Sequence, residues 1–221
     1  MCIIRMCECF VGEGQRQRMR NILVFGDSNT YGYDPADPYE NRYPYEERWT
    51  SILAEELKDS YEIRPEGMNG RRLPDLRYDH RMVLRLIEYV NGDGILCTML
   101  GTNDVLITGG AEEAISRMNA YLSFLLNHLR AGQIVIIAPP YIGSPMLRDA
   151  TSRMYYEASV RMNEAFGRMA GMKGVRFIDA SKWDIELAYD NVHFSTRGHR
   201  VFAEKMAGVL QDGECPGLLS F

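Results

Sequence analysis

Ser28, Asp190 and His193 are the side-chain types that nucleophilic catalysis by a hydroxyl requires. Ser28 follows the apolar run 21–25, and Asp190 precedes His193 by three residues near the other end of the chain. A hydroxyl is a weak nucleophile until a base removes its proton, and a neutral imidazole needs a carboxylate to fix its tautomer and stabilise its cation. Taken alone, Ser28 is better explained as a helix cap. Together, the three residues predict a nucleophile, its orienting acid and its general base, in that order.

Two further segments could stabilise the negative charge that develops in acyl transfer. Asn103 lies in the segment 101–104, and its amide could donate to an oxyanion without titrating. Gly70 lies in the segment 68–71, where a glycine lets a backbone N–H point into a site. Each segment has a simpler interpretation, an Asx turn at Asn103 and an ordinary turn at Gly70.

Short β-rich runs alternate with longer amphipathic stretches along the chain. This alternation predicts an α/β fold with a mostly parallel sheet, in which ligands bind outside the carboxyl ends of the strands. The second strand has the weakest pattern. The predicted strands are 21–25, 61–64, 94–100, 133–138 and 175–179, and the predicted helices are 50–58, 76–90, 111–130, 154–169 and 196–210.

With these four segments in order, the sequence from 21 to 210 resembles the SGNH hydrolase superfamily, the GDSL-type esterases and lipases. Ser28, Gly70, Asn103 and His193 occupy the family's four named positions, and Asp190 completes the triad. The resemblance implies a flavodoxin-like three-layer α/β/α sandwich with a five-stranded parallel sheet. It also implies an oxyanion hole formed by the backbone N–H groups of Ser28 and Gly70 and by the Asn103 side chain.

The first motif reads GDSN and not GDSL, and the segment 29–35 is similar to the arylesterase and acyltransferase branch of the superfamily. Gly67 competes with Gly70 for the second position, and the spacing to Arg71 favours Gly70. This resemblance implies a serine esterase that hydrolyses short-chain acyl or acetyl esters through an acyl-enzyme, without a metal or an organic cofactor. The alternatives are a carbohydrate O-deacetylase and an acyltransferase to an alcohol acceptor.

A segment rich in tyrosine and proline, 31–48, has no clear period and is predicted to be a functional loop. It could wall an acyl pocket or pack against another subunit, so a homo-oligomer is possible. Asp27 is also expected to hold the nucleophile loop by hydrogen bonds, and His199, which lacks a carboxylate at the required spacing, is expected to be structural. The residues predicted to contact substrate are Asp27, Asn29, Tyr33, Tyr141 and Val192.

The composition excludes several other classes of protein. The 221 residues carry a net charge of −5 with no basic stripe, which argues against nucleic acid as a partner. No apolar run reaches the roughly 18 residues that span a bilayer, and no secretory signal is evident, so we expect a cytoplasmic protein without a membrane partner. Five cysteines without framework spacing argue against disulfides. We expect residues 1–18 to be a poorly ordered extension and 19–221 to form one domain.

Overall fold

The computed structural model describes residues 19–211, except 38, 40, 145, 147 and 148. The predicted extension at residues 1–18 and the cysteines at 2, 7, 9 and 215 therefore lie outside the described residues. Cys97 is buried in a strand, and burial raises the pKa of its thiol to about 12. Such a thiol is unreactive near neutral pH.

Five parallel strands form the single sheet of the described region, in the spatial order β2-β1-β3-β4-β5. The predicted five-stranded parallel sheet is thus confirmed. The register aligns Gly26, the last residue of β1, with Gly67 of β2 and Met99 of β3, so these three strands end at one edge. The strands are β1 Arg20–Gly26, β2 Tyr61–Gly67, β3 Ile95–Met99, β4 Ile134–Ala138 and β5 Arg176–Asp179.

Helices cover both faces of the sheet because successive side chains of the buried strands point to opposite sides. Leu23 and Phe25 of β1 pack into one core with helices α3, α5 and α6, whereas Ile22 and Val24 pack into the other with α2 and α7. This is the three-layer sandwich that the resemblance implies. The helices are α1 Ser28–Tyr31, α2 Trp49–Glu56, α3 Leu76–Tyr89, α4 Thr102–Thr108, α5 Glu112–Leu126, α6 Ala150–Lys173 and α7 Thr196–Gln211.

The helix predictions were wrong at several points. The short helices α1 and α4 were not predicted, since four and seven residues give too little periodicity to detect. Helix α6 is longer at both ends than predicted, because Asp149 caps its first turn by accepting from the Ser152 N–H and Gly174, at φ +66°, ends it. In the described part of the chain, no helix combines the length and apolarity needed to cross a bilayer.

Candidate active site

The turn between β1 and α1 places Ser28 at the carboxyl edge of the sheet, as the first residue of α1. Asp27 caps this helix, because its Oδ1 accepts from the Asn29 N–H at 3.0 Å. A Cβ on Gly26 would lie 2.0 Å from Thr30 Oγ1 and 3.2 Å from the Met99 carbonyl oxygen. Only glycine therefore fits before the cap, and the turn that carries Ser28 is packed closely on the sheet.

Ser28, His193 and Asp190 form a continuous chain of hydrogen bonds. His193 Nε2 lies 2.9 Å from Ser28 Oγ, and its Nδ1 lies 2.6 Å from Asp190 Oδ2. The serine and the histidine are 165 residues apart in sequence. The fold thus brings together the three residues that the sequence predicted as nucleophile, base and orienting acid.

The Asp190 carboxylate is held by its own loop. Its Oδ1 accepts from the backbone N–H groups of Val192 and His193, each at 3.0 Å. Partial burial opposes the ionisation of Asp190, but the hydrogen bonds from His193 and Val192 outweigh it and hold the pKa below its ordinary value. Asp190 is therefore ionised near neutral pH and could stabilise a cationic His193.

A closed loop presents Asp190 and His193 to the serine. Leu187 and Phe194 form an antiparallel bridge at its base, and the Ala188 N–H donates to the His193 carbonyl at 2.7 Å. Asn191 turns the loop at φ +58°, a conformation that asparagine tolerates better than most residues. We name residues 187–194 the histidine loop.

Three potential hydrogen-bond donors, the Ser28 N–H among them, follow the ends of β1, β2 and β3, which lie at one edge of the sheet. Asn103, at the start of α4, donates one amide N–H to the Arg71 carbonyl at 3.0 Å and retains a second. Gly70 has φ +70°, and its backbone N–H has no hydrogen-bond partner among the described residues. Ser28, as the first residue of a helix, has a backbone N–H without an intrahelical partner.

The two candidate glycines of the second motif differ in their surroundings. Gly67 ends β2, and a Cβ there would lie 2.2 Å from the backbone nitrogen of Tyr31. Gly70 has nothing within 4 Å of the corresponding position. Gly67 therefore allows close packing of β2 on α1, whereas Gly70 lies exposed in the turn beyond the strand, as a donor position requires.

Residues 24–201 match the model of the GDSL-like lipase/acylhydrolase family. The chain belongs to this family. It is a carboxylic ester hydrolase of the SGNH superfamily, as the sequence motifs predicted.

Solved structures of esterases share the fold of this GDSL-type hydrolase. A candidate arylesterase from Agrobacterium tumefaciens strain C58 is 28% identical over 88% of this chain and 99% of that one, with a TM-score of 0.72. The carbohydrate acetylesterase Est24 from Sinorhizobium meliloti is 25% identical over 88% and 100%, with a TM-score of 0.71. The M. smegmatis aryl esterase is 21% identical over 87% and 99%, with a TM-score of 0.71, and supports the fold alone. No curated protein sequence is significantly similar to the chain.

A buried carboxylate that sequence reasoning missed supports residues 68–73 of this hydrolase, which we name the donor loop. Asp104 Oδ2 accepts from the Leu73 N–H at 3.0 Å, and its Oδ1 accepts from Arg72 Nε at 3.2 Å. Arg72 also pairs with the half-exposed Glu113 at 2.9 Å. Burial raises the pKa of Asp104, against the opposing effect of these hydrogen bonds and charges. The only sequence signal was an acid directly after Asn103.

Arg71 connects the same loop to residues 26–31, which we name the nucleophile turn. Its Nη1 donates to the Gly26 carbonyl at 2.8 Å and to the Glu66 carbonyl, and its guanidinium lies 4.5 Å from the centre of the Phe25 ring. Half-burial lowers the pKa of Arg71. The loop after β2 is therefore fixed by charged side chains packed beneath it.

The five predicted substrate contacts occupy different environments. The Tyr33 ring lies against the His193 ring, with centroids 4.7 Å apart. Tyr141 instead packs edge-on against Tyr156, at 5.4 Å, and its hydroxyl accepts from Lys182 Nζ at 3.0 Å. None of the described contacts of Tyr141 is with Ser28 or His193.

The other three predicted contacts, Asp27, Asn29 and Val192, take part in hydrogen bonds within the protein. Asp27 is 2% exposed, and burial raises the pKa of its carboxyl to about 6. Asn29 is 4% exposed and hydrogen-bonds the histidine loop, while Val192 packs against the core and offers its carbonyl to Asn29. The side chains of Asp27 and Asn29 make hydrogen bonds within the protein, and direct contact of either residue with substrate stays a prediction.

His199 is the one histidine buried in the described core, and its Nδ1 accepts from the Trp49 N–H at 3.3 Å. Burial, assisted by the positive charge of Arg48, lowers its pKa to about 3. This neutral, enclosed ring agrees with the structural role predicted for it.

In the described ranges, no three His, Cys, Asp or Glu side chains form a cluster that could hold a metal ion.

Proposed function

We propose that the chain is a serine esterase for short-chain acyl or acetyl esters, with Ser28 as nucleophile, His193 as general base and Asp190 as the acid that orients it. The observation that carries this proposal is the hydrogen-bonded chain of 2.9 Å and 2.6 Å through His193. These distances meet the geometric requirement for proton transfer between a nucleophile and its base.

In the acylation step, Ser28 Oγ attacks the ester carbonyl carbon while His193 Nε2 takes the hydroxyl proton. The carbonyl electron pair moves onto oxygen, where the N–H groups of Ser28 and Gly70 and the amide of Asn103 donate to the oxyanion. The intermediate then collapses, the bond to the alcohol breaks, and His193 returns the proton to the leaving oxygen. Asp190 stabilises the imidazolium while it carries that proton.

Deacylation follows the same route with water in place of the hydroxyl. His193 Nε2 takes a proton from water as it attacks the acyl-enzyme, and the second intermediate releases the carboxylic acid and regenerates Ser28. Tyr33, packed on the His193 ring, borders the space in which the ester would lie. None of these steps draws on a metal or an organic cofactor.

Two named relatives bear on the class of ester. The arylesterase candidate and the carbohydrate acetylesterase, at 28% and 25% identity, favour a small acyl group on either an aryl or a sugar alcohol. A carbohydrate O-deacetylase is therefore the second candidate function. An acyltransferase to an alcohol acceptor is the third, since only the nucleophile of the second step distinguishes it from a hydrolase.

The first test is labelling with a fluorophosphonate, which reacts with activated serine hydroxyls. We expect one equivalent of label at Ser28, located by peptide mass spectrometry, and a fall of about 10⁴-fold or more in aryl acetate turnover for Ser28→Ala. A folded wild-type protein that takes no label, or a Ser28→Ala variant with full turnover, would contradict the proposal.

The three candidate reactions separate in a second assay with the wild-type enzyme. A hydrolase of simple esters should release acid from aryl acetates faster than from acetylated xylo-oligosaccharides, and a deacetylase should do the reverse. An acyltransferase should form more ester than acid when a primary alcohol is supplied in water.

A further inference from the structure

Asn29 is the residue directly after Ser28, and its side chain reaches the histidine loop. Its Nδ2 donates to the Val192 carbonyl at 3.1 Å, and its Oδ1 accepts from the Phe194 N–H at 2.8 Å. Val192 and Phe194 are the two neighbours of His193 in the chain. One amide therefore holds the backbone on both sides of the base.

The backbone of Asn29 is fixed as firmly as its side chain. Its N–H donates to Asp27 Oδ1 at 3.0 Å, and its carbonyl accepts from Trp49 Nε1 at 3.0 Å. Because the residue is buried, water does not compete for these hydrogen bonds. Asn29 is thus a rigid connection between the helix that carries Ser28 and the loop that carries His193.

We infer that Asn29 is a positioning residue that sets the distance between Ser28 Oγ and His193 Nε2. This inference rests on the proposed function. The hydrogen bonds between Asp190 and His193 lie within the histidine loop and move with it. Loss of the Asn29 amide should therefore disturb the contact between serine and histidine while leaving the contact between histidine and aspartate intact.

The chemistry of the site requires an amide at this position. The Val192 carbonyl needs a donor and the Phe194 N–H needs an acceptor, and asparagine supplies both on one short planar group. Aspartate has the same shape without the donor, and leucine, the residue that follows serine in a GDSL motif, has neither group. The asparagine of the GDSN motif, where GDSL has leucine, therefore adds hydrogen bonds between the nucleophile turn and the histidine loop.

The experiment compares Asn29→Leu and Asn29→Asp with wild type. We expect kcat on an aryl acetate and the rate constant of fluorophosphonate labelling to fall in parallel, by about 10²-fold for the leucine variant, since a displacement of roughly 1 Å has that effect. KM should change by much less. The downfield proton NMR signal of the hydrogen bond from His193 Nδ1 to Asp190 should persist.

Asn163 provides the matched control, because it is equally buried and donates to the Pro139 carbonyl at 2.8 Å without contacting the triad. Asn163→Leu should lower the melting temperature without slowing the labelling of Ser28. If Asn29→Leu does not fold, Asn29→Asp takes its place, since it keeps the shape and one of the two hydrogen bonds.

Each outcome separates this inference from the proposed function. A folded Asn29 variant labelled at the wild-type rate overturns the positioning role and leaves Ser28 as the nucleophile. Loss of the downfield signal together with activity also overturns it, because the defect would then be a general collapse of the loop. Failure of the wild-type protein to react with fluorophosphonate would instead remove the proposed function itself.

Discussion

Two neighbouring segments of this hydrolase serve the same site but are held by different forces. These segments are the nucleophile turn, residues 26–31, and the donor loop, residues 68–73. The nucleophile turn is almost wholly buried and is fixed by close contacts of backbone and small side chains, in addition to the hydrogen bonds of Asp27 and Asn29. The donor loop is exposed at Gly70 and is fixed from beneath by Arg71 and Asp104.

This difference predicts which substitutions would destabilise each segment. A segment fixed by steric fit tolerates no added volume, because packed backbone cannot move aside. A segment fixed by hydrogen bonds and ion pairs tolerates added volume on its open side but not the loss of a buried polar partner. Three pairs of measurements test this contrast.

The largest effect is expected where β2 packs against the nucleophile turn. Gly67→Ala places a methyl group 2.2 Å from the Tyr31 nitrogen and should lower the free energy of unfolding by about 3 kcal/mol. Gly70→Ala meets no atoms and should cost about 1 kcal/mol, from its positive φ alone. Urea denaturation measures both, and equal losses would refute the contrast between the segments.

Removing the charge buried in the nucleophile turn should stabilise the protein. The pKa of Asp27 is about 6 when folded, against 3.8 as its ordinary value, so folding favours the protonated form. The contribution of Asp27 is therefore most favourable below pH 4 and is lost as the pH rises through 6. Asp27→Asn should raise the free energy of unfolding at pH 8 by up to about 3 kcal/mol.

The dependence on pH distinguishes this effect from a simple packing change. Asparagine keeps an acceptor for the Asn29 N–H, so the cap remains. The stability difference between Asp27→Asn and wild type should shrink to near zero at pH 4. A gain that is the same at pH 4 and pH 8 would show that the buried charge is not its cause.

The smallest of the three effects is expected at the donor loop. Asp104→Ala leaves the Leu73 N–H without an acceptor and should cost about 2 kcal/mol. Glu113→Ala removes the half-exposed partner of the same arginine and should cost less than about 1 kcal/mol. We also expect kcat to fall for the Asp104 variant, because Gly70 and Asn103 lie on segments that Asp104 joins. Equal losses of stability in the two variants would mean that the buried hydrogen bond from the Leu73 N–H to Asp104 contributes no more than the half-exposed ion pair between Arg72 and Glu113.

The sequence predicted the architecture from patterns that act locally. Runs such as 134–138, which are apolar on both faces, predict buried strands. The amphipathic pattern of α5 predicts a helix that packs one face against the sheet. The short helices α1 and α4 escaped prediction because their starts depend on Asp27 and Gly101 at strand ends, where tertiary packing decides the turn. Tyr141 contacts Tyr156 of α6 and Lys182 beyond β5, partners that only the tertiary structure brings together, and its contact with substrate stays a prediction.

The sequence by itself determined the chemical groups of the site: a serine after a buried strand, an acid and a histidine three residues apart, and an amide and a glycine at two other strand ends. Only the tertiary structure decided their distances and the residues that hold them. The Asn29 amide meets Val192 across 163 residues, and Asp104 meets Leu73 across 31. The packing of helices on the sheet determines such partners. A hydrogen bond depends on the positions of both groups, and a local sequence pattern specifies the position of only one of the two groups.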